Sequence, residues 1–192
     1  MTQEIEIEYK NILTKKEFEL LLNMLPFSIE GKTQTNYYFE TKDFLLKENG
    51  AALRIREKQG AYQLTLKEPN ETGLLETHDT LSEEEVDKWL SGKPIAKEHT
   101  QKQLDKWNIT PSSLTYFGAL TTVRREIPYR DVLLVLDYST YNGQADYELE
   151  LEAPSEEVGR SVFQSLLKQF AIPERKTPNK IQRFFLSLDT RE

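Results

Sequence analysis

Several segments of the chain alternate polar and apolar residues with a period of two, which is typical of half-buried β-strands. The alternation is clearest in residues 4–10, 51–57 and 61–67, and strands are also predicted over 36–41, 117–128, 132–139 and 146–153. Residues 58–60 end in glycine and predict a hairpin turn between two of them. The pattern therefore predicts a fold in which antiparallel strands carry one apolar face each.

Apolar residues at helical spacing lie between these strands. Helices are predicted over 14–25 and from Ser82 to about Gly92, because each segment begins with a capping box. Further helices are predicted at 43–48, 97–107, 155–170 and 179–188. The mixture predicts an α+β protein, and a length of 192 residues suits a single domain over 1–192.

Charged residues repeat along the polar faces of the predicted strands. The acidic ones are Glu4, Glu6, Glu8, Glu148, Glu150 and Glu152, and the basic ones are Lys10, Arg54, Arg56, Lys67 and Arg124. A single polar face usually points to water, but here several strands carry charges of both signs. In a closed barrel covered by helices, these faces would line the interior. We therefore predict a charged tunnel.

Such an interior needs a charged ligand or water, because unpaired buried charges cost several kcal/mol each. Arginine and lysine bind phosphate oxygens, whereas carboxylates bind hard divalent cations such as Mg²⁺. A triphosphate carrying a divalent metal matches both signs of charge.

Short motifs in the same order as these strands resemble those of the CYTH superfamily, the triphosphate tunnel metalloenzymes. The matching segments are 6–10 (E-x-E-x-K), 37–41 (Y-F-D-T), 53–56 (L-R-x-R), 64–67 (L-T-x-K), 136–137 (L-D), 146–152 (E-x-E) and 179–181 (S-K). The chain departs from Y-F-D-T at Glu40, where the motif has aspartate. The resemblance covers about residues 4–184 and implies a closed antiparallel eight-stranded β-barrel with helices packed on its outside.

The resemblance also implies roles for the charged residues. Divalent ions, Mg²⁺ or Mn²⁺, would be bound by Glu6, Glu8, Asp137, Glu148 and Glu150. The phosphates would be held by Lys10, Arg54, Arg56, Lys67, Arg124 and Lys180, which together with Glu6 and Glu8 form the predicted catalytic set. Glu4 and Glu152 extend the same faces and could join the metal ligands. The strand arginine could be Arg124 or Arg125, and alternation with Val123 and Ile127 favours Arg124.

Three functions fit this interpretation: a metal-dependent triphosphate hydrolase, an adenylate cyclase, and a non-catalytic sensor of polyphosphorylated ligands. The candidate substrates of the hydrolase are tripolyphosphate, thiamine triphosphate and nucleoside triphosphates. A net charge of −7 argues against a nucleic-acid partner, and the absence of cysteine excludes a thiolate site. No signal peptide or membrane span is predicted, so we expect a cytoplasmic protein; a homodimer stays open. His78 and His99 are interpreted as surface residues without a role.

Overall fold

The computed structural model describes residues 2–188, which fall into two compact units. Unit 1 contains the residues up to Ile5 and Gln34–Ala119, and unit 2 contains Glu6–Thr33 and the residues from Leu120 onward. Each unit combines antiparallel strands with helices, so the predicted α+β class is confirmed.

Nine strands occur among residues 2–188. They are β1 (Gln3–Glu6), β2 (Glu8–Leu13), β3 (Lys32–Thr41), β4 (Ala52–Lys58), β5 (Ala61–Pro69), β6 (Leu74–Leu81), β7 (Leu114–Tyr129), β8 (Val132–Tyr141) and β9 (Gln144–Glu152). The helices are α1 (Lys15–Met24), α2 (Leu45–Glu48), α3 (Glu83–Leu90), α4 (Glu98–Leu104), α5 (Glu156–Gln169) and α6 (Lys180–Leu188), with 3₁₀ turns at Asp105–Trp107 and Pro111–Ser113. None of the helices described is long and apolar enough to cross a bilayer.

Unit 1 is built on the antiparallel strands β3, β4, β5 and β6, paired in that order, with β1 beside β6. One face of these strands is apolar and packs against α3, where Trp89 makes an edge-on contact with Phe39. The N-terminus of α4 is fixed by the buried Asp79, whose carboxylate accepts hydrogen bonds from the backbone N–H groups of His99 and Thr100. Burial of the apolar face leaves the opposite face for polar residues.

Unit 2 repeats this plan with β7, β8, β9 and β2, again antiparallel and paired in that order. Leucines of β8 and β9 form a core with α1 and α5, to which Phe18 and Phe163 contribute buried rings. The capping box predicted at Thr14 and Glu17 is present at the start of α1. Because β-strand side chains alternate, the charged residues of β8 and β9 lie on the face opposite this core.

Two details differ from the sequence prediction, which gave eight strands and one continuous strand over 4–10. The first strand is interrupted at Ile7, so β1, which lies beside β6, and β2, which pairs with β9, are separate strands. β6 was not predicted, because its central residues 76–80 are polar on both faces. Closure of the strands into a barrel and the single domain over 1–192 stay predictions.

Candidate active site

The register of β7, β8 and β9 places three charged residues in one row across unit 2. Arg124 of β7 lies opposite Asp137 of β8, which lies opposite Glu148 of β9. On the other side of β9, Lys10 of β2 lies opposite Glu150. Residues opposite one another on antiparallel strands point to the same side of the sheet. Alternation along the strands therefore groups these charges on one face.

The carboxylates in this group are buried and paired with basic residues. Arg124 makes a bidentate ion pair with Asp137 (Nε–Oδ1 2.9 Å and Nη2–Oδ2 2.6 Å) and also donates to Glu150 Oε2 (2.6 Å). Asp137 and Glu148 are completely inaccessible to solvent, and Glu150 is 5% exposed. Buried charges are tolerated only with such partners.

Lys180 enters the same group from the first turn of α6. Its ammonium contacts Asp137 Oδ2 (2.9 Å), Glu148 Oε1 (2.8 Å) and Glu150 Oε1. One cation thus contacts three carboxylates on two strands. This arrangement holds the N-terminal turn of α6 against the charged face of unit 2.

These contacts shift the protonation equilibria of the group. Burial raises the pKa of Glu148 to about 8, and the neighbouring Glu150 charge adds to this effect while Lys180 opposes it. Burial opposes charge on Glu150 too, but Lys180 and Arg124 outweigh it and hold the pKa of that carboxyl well below its usual range. Burial likewise disfavours the charged form of Lys180, but Glu150 and Asp137 raise its pKa well above the usual value. At neutral pH the group therefore contains charged Glu150 and Lys180 side by side.

A set of carboxylate oxygens in this group is close enough to share one cation. Glu8, Glu148 and Glu150 each offer an oxygen within 4.8 Å of the others. Lys10 donates to Glu8 Oε1 (2.6 Å), so the trio has a basic residue at its edge. Carboxylate oxygens are hard donors that suit Mg²⁺ or Mn²⁺. Glu6, half-buried at the end of β1, and Asp137, bound to Arg124, lie outside the trio.

In unit 1, the polar face of β4 and β5 carries the other predicted phosphate-binding residues. Lys67 forms an ion pair with Glu76 of β6, and Arg56 Nε donates to Asn36 Oδ1 (3.2 Å). Arg54 lies opposite Thr65, and its Nε is buried without a hydrogen-bond partner in residues 2–188. A buried guanidinium N–H without a partner is rare, so this atom is able to donate to an acceptor outside the protein.

Comparison with known proteins decides which family these features belong to. Residues 4–185 match the CYTH domain family. A relative in Bacillus subtilis (strain 168), named "Putative triphosphatase YjbK", is 48% identical over 186 residues, covering 96% of each chain. The chain belongs to the CYTH family.

Two solved structures are similar to this chain. A Bacillus halodurans protein described as "a putative adenylate cyclase" has a TM-score of 0.92 and 44% identity, covering 96% of this chain and all of that one. HpAC1 from Hippeastrum, described as a "putative adenylyl cyclase" that "reveals a dominant triphosphatase activity", has a TM-score of 0.77 and 23% identity, covering 95% of this chain and 96% of that one. At 23% identity, the similarity to HpAC1 shows only that the two proteins share a fold.

The structure shows the environments of three residues that the sequence left open: Arg124, Arg125 and Glu40. Arg124 faces the carboxylates, whereas Arg125 donates to the carbonyls of Ser28 and Ile29 and lies over the ring of Phe18. Glu40 is buried, and its carboxylate accepts hydrogen bonds from the backbone N–H groups of residues 41, 46 and 47. Glu40 therefore fixes the loop and first turn of α2. Glu152, half-buried on β9, lies opposite Glu8.

Sequence reasoning missed two features of these faces. His78 was interpreted as a surface residue, and this was wrong: its side chain is only 10% exposed, with Nδ1 3.0 Å from Thr65 Oγ1 and Nε2 3.1 Å from Glu4 Oε1. Period-two alternation over β6 would have placed His78 and Glu76 on one face. The second is Arg183, which contacts Glu148 and Asp146; its spacing of three from Lys180 on a helix was the available signal.

Proposed function

We propose that this CYTH protein is a metal-dependent triphosphatase that releases the terminal phosphate of a triphosphate substrate. The observation that supports this best is the buried group of Asp137, Glu148 and Glu150 with Arg124 and Lys180, in which carboxylates and phosphate-binding cations occur together. The relative named as a triphosphatase, nearly half identical over almost the whole chain, points to the same activity.

The metal would be held by Glu8, Glu148 and Glu150. Glu6 and Asp137 would be further ligands. The all-oxygen donor set fits a hard divalent ion, which is why we propose Mg²⁺ or Mn²⁺. When bound, the ion would polarise phosphate oxygens and neutralise part of the substrate charge.

The phosphates would be held by Lys10, Arg54, Arg56, Lys67, Arg124 and Lys180. The buried Arg54 Nε lacks an acceptor within residues 2–188, and a phosphate oxygen would supply one. The closed barrel predicted from the sequence would bring all six residues around one ligand. Arg124 and Lys180 already neutralise carboxylates, so they would exchange part of those contacts for phosphate oxygens.

In the proposed reaction a water oxygen forms a bond to the terminal phosphorus while the bond from that phosphorus to the bridging oxygen breaks. The electron pair of the broken bond stays on the departing diphosphate group, and the basic residues stabilise the charge that develops there. The attacking water keeps one hydrogen as a hydroxyl group of the inorganic phosphate and releases the other proton to the solvent. The positions of the side chains, rather than covalent chemistry by the protein, would then account for most of the rate.

Adenylate cyclisation is the second candidate, because the Bacillus halodurans relative at 44% identity is described as a cyclase. In that reaction the ribose 3′-hydroxyl attacks the α-phosphorus and pyrophosphate leaves. The two reactions differ in their products, so one assay separates them.

The test is incubation of purified protein with Mg²⁺ or Mn²⁺ and tripolyphosphate, thiamine triphosphate, ATP or GTP, followed by product analysis. Inorganic phosphate together with a diphosphate product supports the triphosphatase. Cyclic AMP with pyrophosphate would replace this proposal with the cyclase. Binding of all four compounds without any product would indicate a non-catalytic sensor.

A further inference from the structure

Arg183 lies on α6 three residues after Lys180, and its side chain is almost fully buried, with 11% exposed. Its guanidinium binds three groups. It donates from Nε to Asp146 Oδ2 (2.9 Å) and from Nη1 to the carbonyl of Pro178 (2.6 Å), and Nη2 forms an ion pair with Glu148 Oε2. One planar side chain thus connects β9 with the segment that leads into α6.

The second carboxylate in this arrangement, Asp146, is itself fixed. Tyr141 donates its hydroxyl hydrogen to Asp146 Oδ2 (2.7 Å), and burial, helped by the Asp146 charge, raises the pKa of Tyr141 to about 12. The hydroxyl therefore stays a donor at neutral pH. The guanidinium of Arg183 is therefore fixed by two contacts, with Asp146 and with the carbonyl of Pro178, in addition to its contact with Glu148.

Both oxygens of Glu148 consequently lie against basic side chains of α6. Lys180 contacts Oε1 at 2.8 Å and Arg183 contacts Oε2. The same guanidinium also binds the backbone carbonyl two residues before Lys180, so it fixes the position from which Lys180 projects. Side chains that hold a metal-binding carboxylate in place commonly change metal affinity 10- to 100-fold when they are removed.

We infer that Arg183 is a positioning residue for the CYTH metal site, which sets the orientation of the Glu148 carboxylate and the approach of Lys180. The inference rests on the proposed function in one respect, the assignment of Glu148 as a metal ligand. Arginine suits this role because its rigid fork reaches two carboxylates and a carbonyl at once, whereas a lysine ammonium on a flexible chain does not fix their relative orientation.

The test compares Arg183→Gln and Arg183→Lys with the wild-type protein by calorimetric titration with Mn²⁺, by steady-state kinetics with tripolyphosphate, and by thermal unfolding. We expect Arg183→Gln to weaken Mn²⁺ binding by about 10- to 100-fold. Arg183→Lys should recover only part of this loss. In the kinetics, the Mn²⁺ concentration for half-maximal rate should rise by the same factor.

Arg175→Gln is the matched control. Arg175 is an arginine of the same unit that binds the carboxylate of Glu17 and the carbonyl of Ile12, neither of which belongs to the proposed metal site. We expect its loss to lower the unfolding temperature while Mn²⁺ affinity stays at the wild-type value. Equal losses of affinity in Arg175→Gln and Arg183→Gln would overturn the inference, because they would reflect general loosening of the unit.

A gentler variant covers the case in which Arg183→Gln does not fold. Tyr141→Phe removes only the hydroxyl that fixes Asp146. It should weaken Mn²⁺ binding by about 2- to 10-fold, which is less than the effect expected for Arg183→Gln, because Tyr141 acts on the metal site only through Asp146 and Arg183. Wild-type Mn²⁺ affinity in every folded variant contradicts the positioning role. A third outcome separates the two proposals. If the wild-type protein binds Mn²⁺, the variants bind it more weakly, and no triphosphate is hydrolysed, then the inference stands and only the triphosphatase proposal fails. If the wild-type protein does not bind Mn²⁺, the inference is wrong.

Discussion

Arg124 and Asp137 face each other across the β7–β8 ladder and are joined by two parallel hydrogen bonds, of 2.9 and 2.6 Å. Asp137 is fully buried and also contacts Lys180, so two basic side chains depend on one carboxylate. In the protein without ligand, Arg124 and Lys180, two of the residues proposed to hold phosphate, are therefore neutralised and oriented by buried acids. The charged face of unit 2 is organised before any substrate arrives.

Asp137→Asn should destabilise the ligand-free protein by about 3–5 kcal/mol, because it leaves Arg124 and Lys180 buried with less than their full complement of negative charge. Urea unfolding at pH 7 measures this loss. The control is Asp131→Asn, an exposed residue in the turn between β7 and β8, for which we expect a change of less than about 0.5 kcal/mol. Similar stabilities of the two variants would mean that the ion pair contributes nothing.

Arg124→Gln and Arg125→Gln separate the two faces of β7. Arg124 contacts the carboxylates, so its loss should lower kcat/KM for the substrate by about 100-fold or more, as for other groups that stabilise transition-state charge. Arg125 binds the carbonyls of Ser28 and Ile29, so its loss should cost about 1 kcal/mol of stability and leave kcat/KM within about threefold of wild type. Equal kinetic effects in the two variants would contradict the assignment of Arg124.

Much of this arrangement follows from alternation in the sequence. Period two along β7 and β9 was sufficient to group Arg124, Glu148 and Glu150 by their polar faces, because a one-residue shift would have exposed the apolar residues between them. Asp137 was predicted only from the resemblance to the CYTH motifs, because β8 is apolar on both sides of it. The break at Ile7 was not predictable in this way. The break coincides with a change of partner strand, from β6 for β1 to β9 for β2, and no local pattern contains the identity of partners so far along the chain.

β6 was missed for a different physical reason. Its central residues are polar on both faces: one face carries Glu76 and His78, and the other carries the buried Thr77 and Asp79, with leucines only near the strand ends. Asp79 is buried because it caps α4, so its environment is set by a tertiary contact rather than by hydrophobicity. A pattern that identifies strands by their apolar face has no signal in such a segment.

The ion pair between Glu17 and Arg175 predicts a stability that depends on pH. The hydrogen bonds from Arg175 lower the pKa of Glu17, and the capping contacts at Thr14 add to the shift. A lowered pKa in the folded state stabilises the protein above the unfolded carboxyl pKa of about 4.3, and this contribution is lost as the pH falls through the folded value. We expect Arg175→Gln to be less stable than wild type by about 1 kcal/mol at pH 7. The difference should shrink towards zero below about pH 4, as followed by urea unfolding. A difference that is constant from pH 7 to pH 3 would exclude this explanation.

Gly159 permits the close approach of α5 to β2. A Cβ atom at this position would lie 2.4 Å from Tyr9 Cε2 and 2.9 Å from Ala153 Cβ. The ring of Tyr9 is anchored by its hydroxyl bond to the Glu156 carbonyl (2.8 Å) and by contact with Phe163, so it has little freedom to move. Gly159→Ala should therefore cost about 1–3 kcal/mol of stability, although alanine favours helix formation by about 1 kcal/mol.

The control for Gly159 is Ser161→Ala, an exposed position of the same helix. It should be neutral or stabilising by up to about 0.5 kcal/mol, because alanine has the higher helix propensity and no contact is lost. Thermal unfolding of both variants gives the comparison. Stabilisation by Gly159→Ala would show that α5 and β2 are farther apart than the structure has them.

Triphosphate hydrolysis that depends on both metal and the buried carboxylates is the central claim, and phosphorus NMR of tripolyphosphate tests it most directly. With Mg²⁺ or Mn²⁺, the wild-type protein should convert tripolyphosphate into equal amounts of pyrophosphate and phosphate, and a chelator should stop the reaction. Glu150→Gln should lower the rate by about 100-fold or more when the carboxylate is lost from the metal site, while circular dichroism shows a folded protein. Turnover that persists with chelator, or at the wild-type rate in folded Glu150→Gln, would contradict the account.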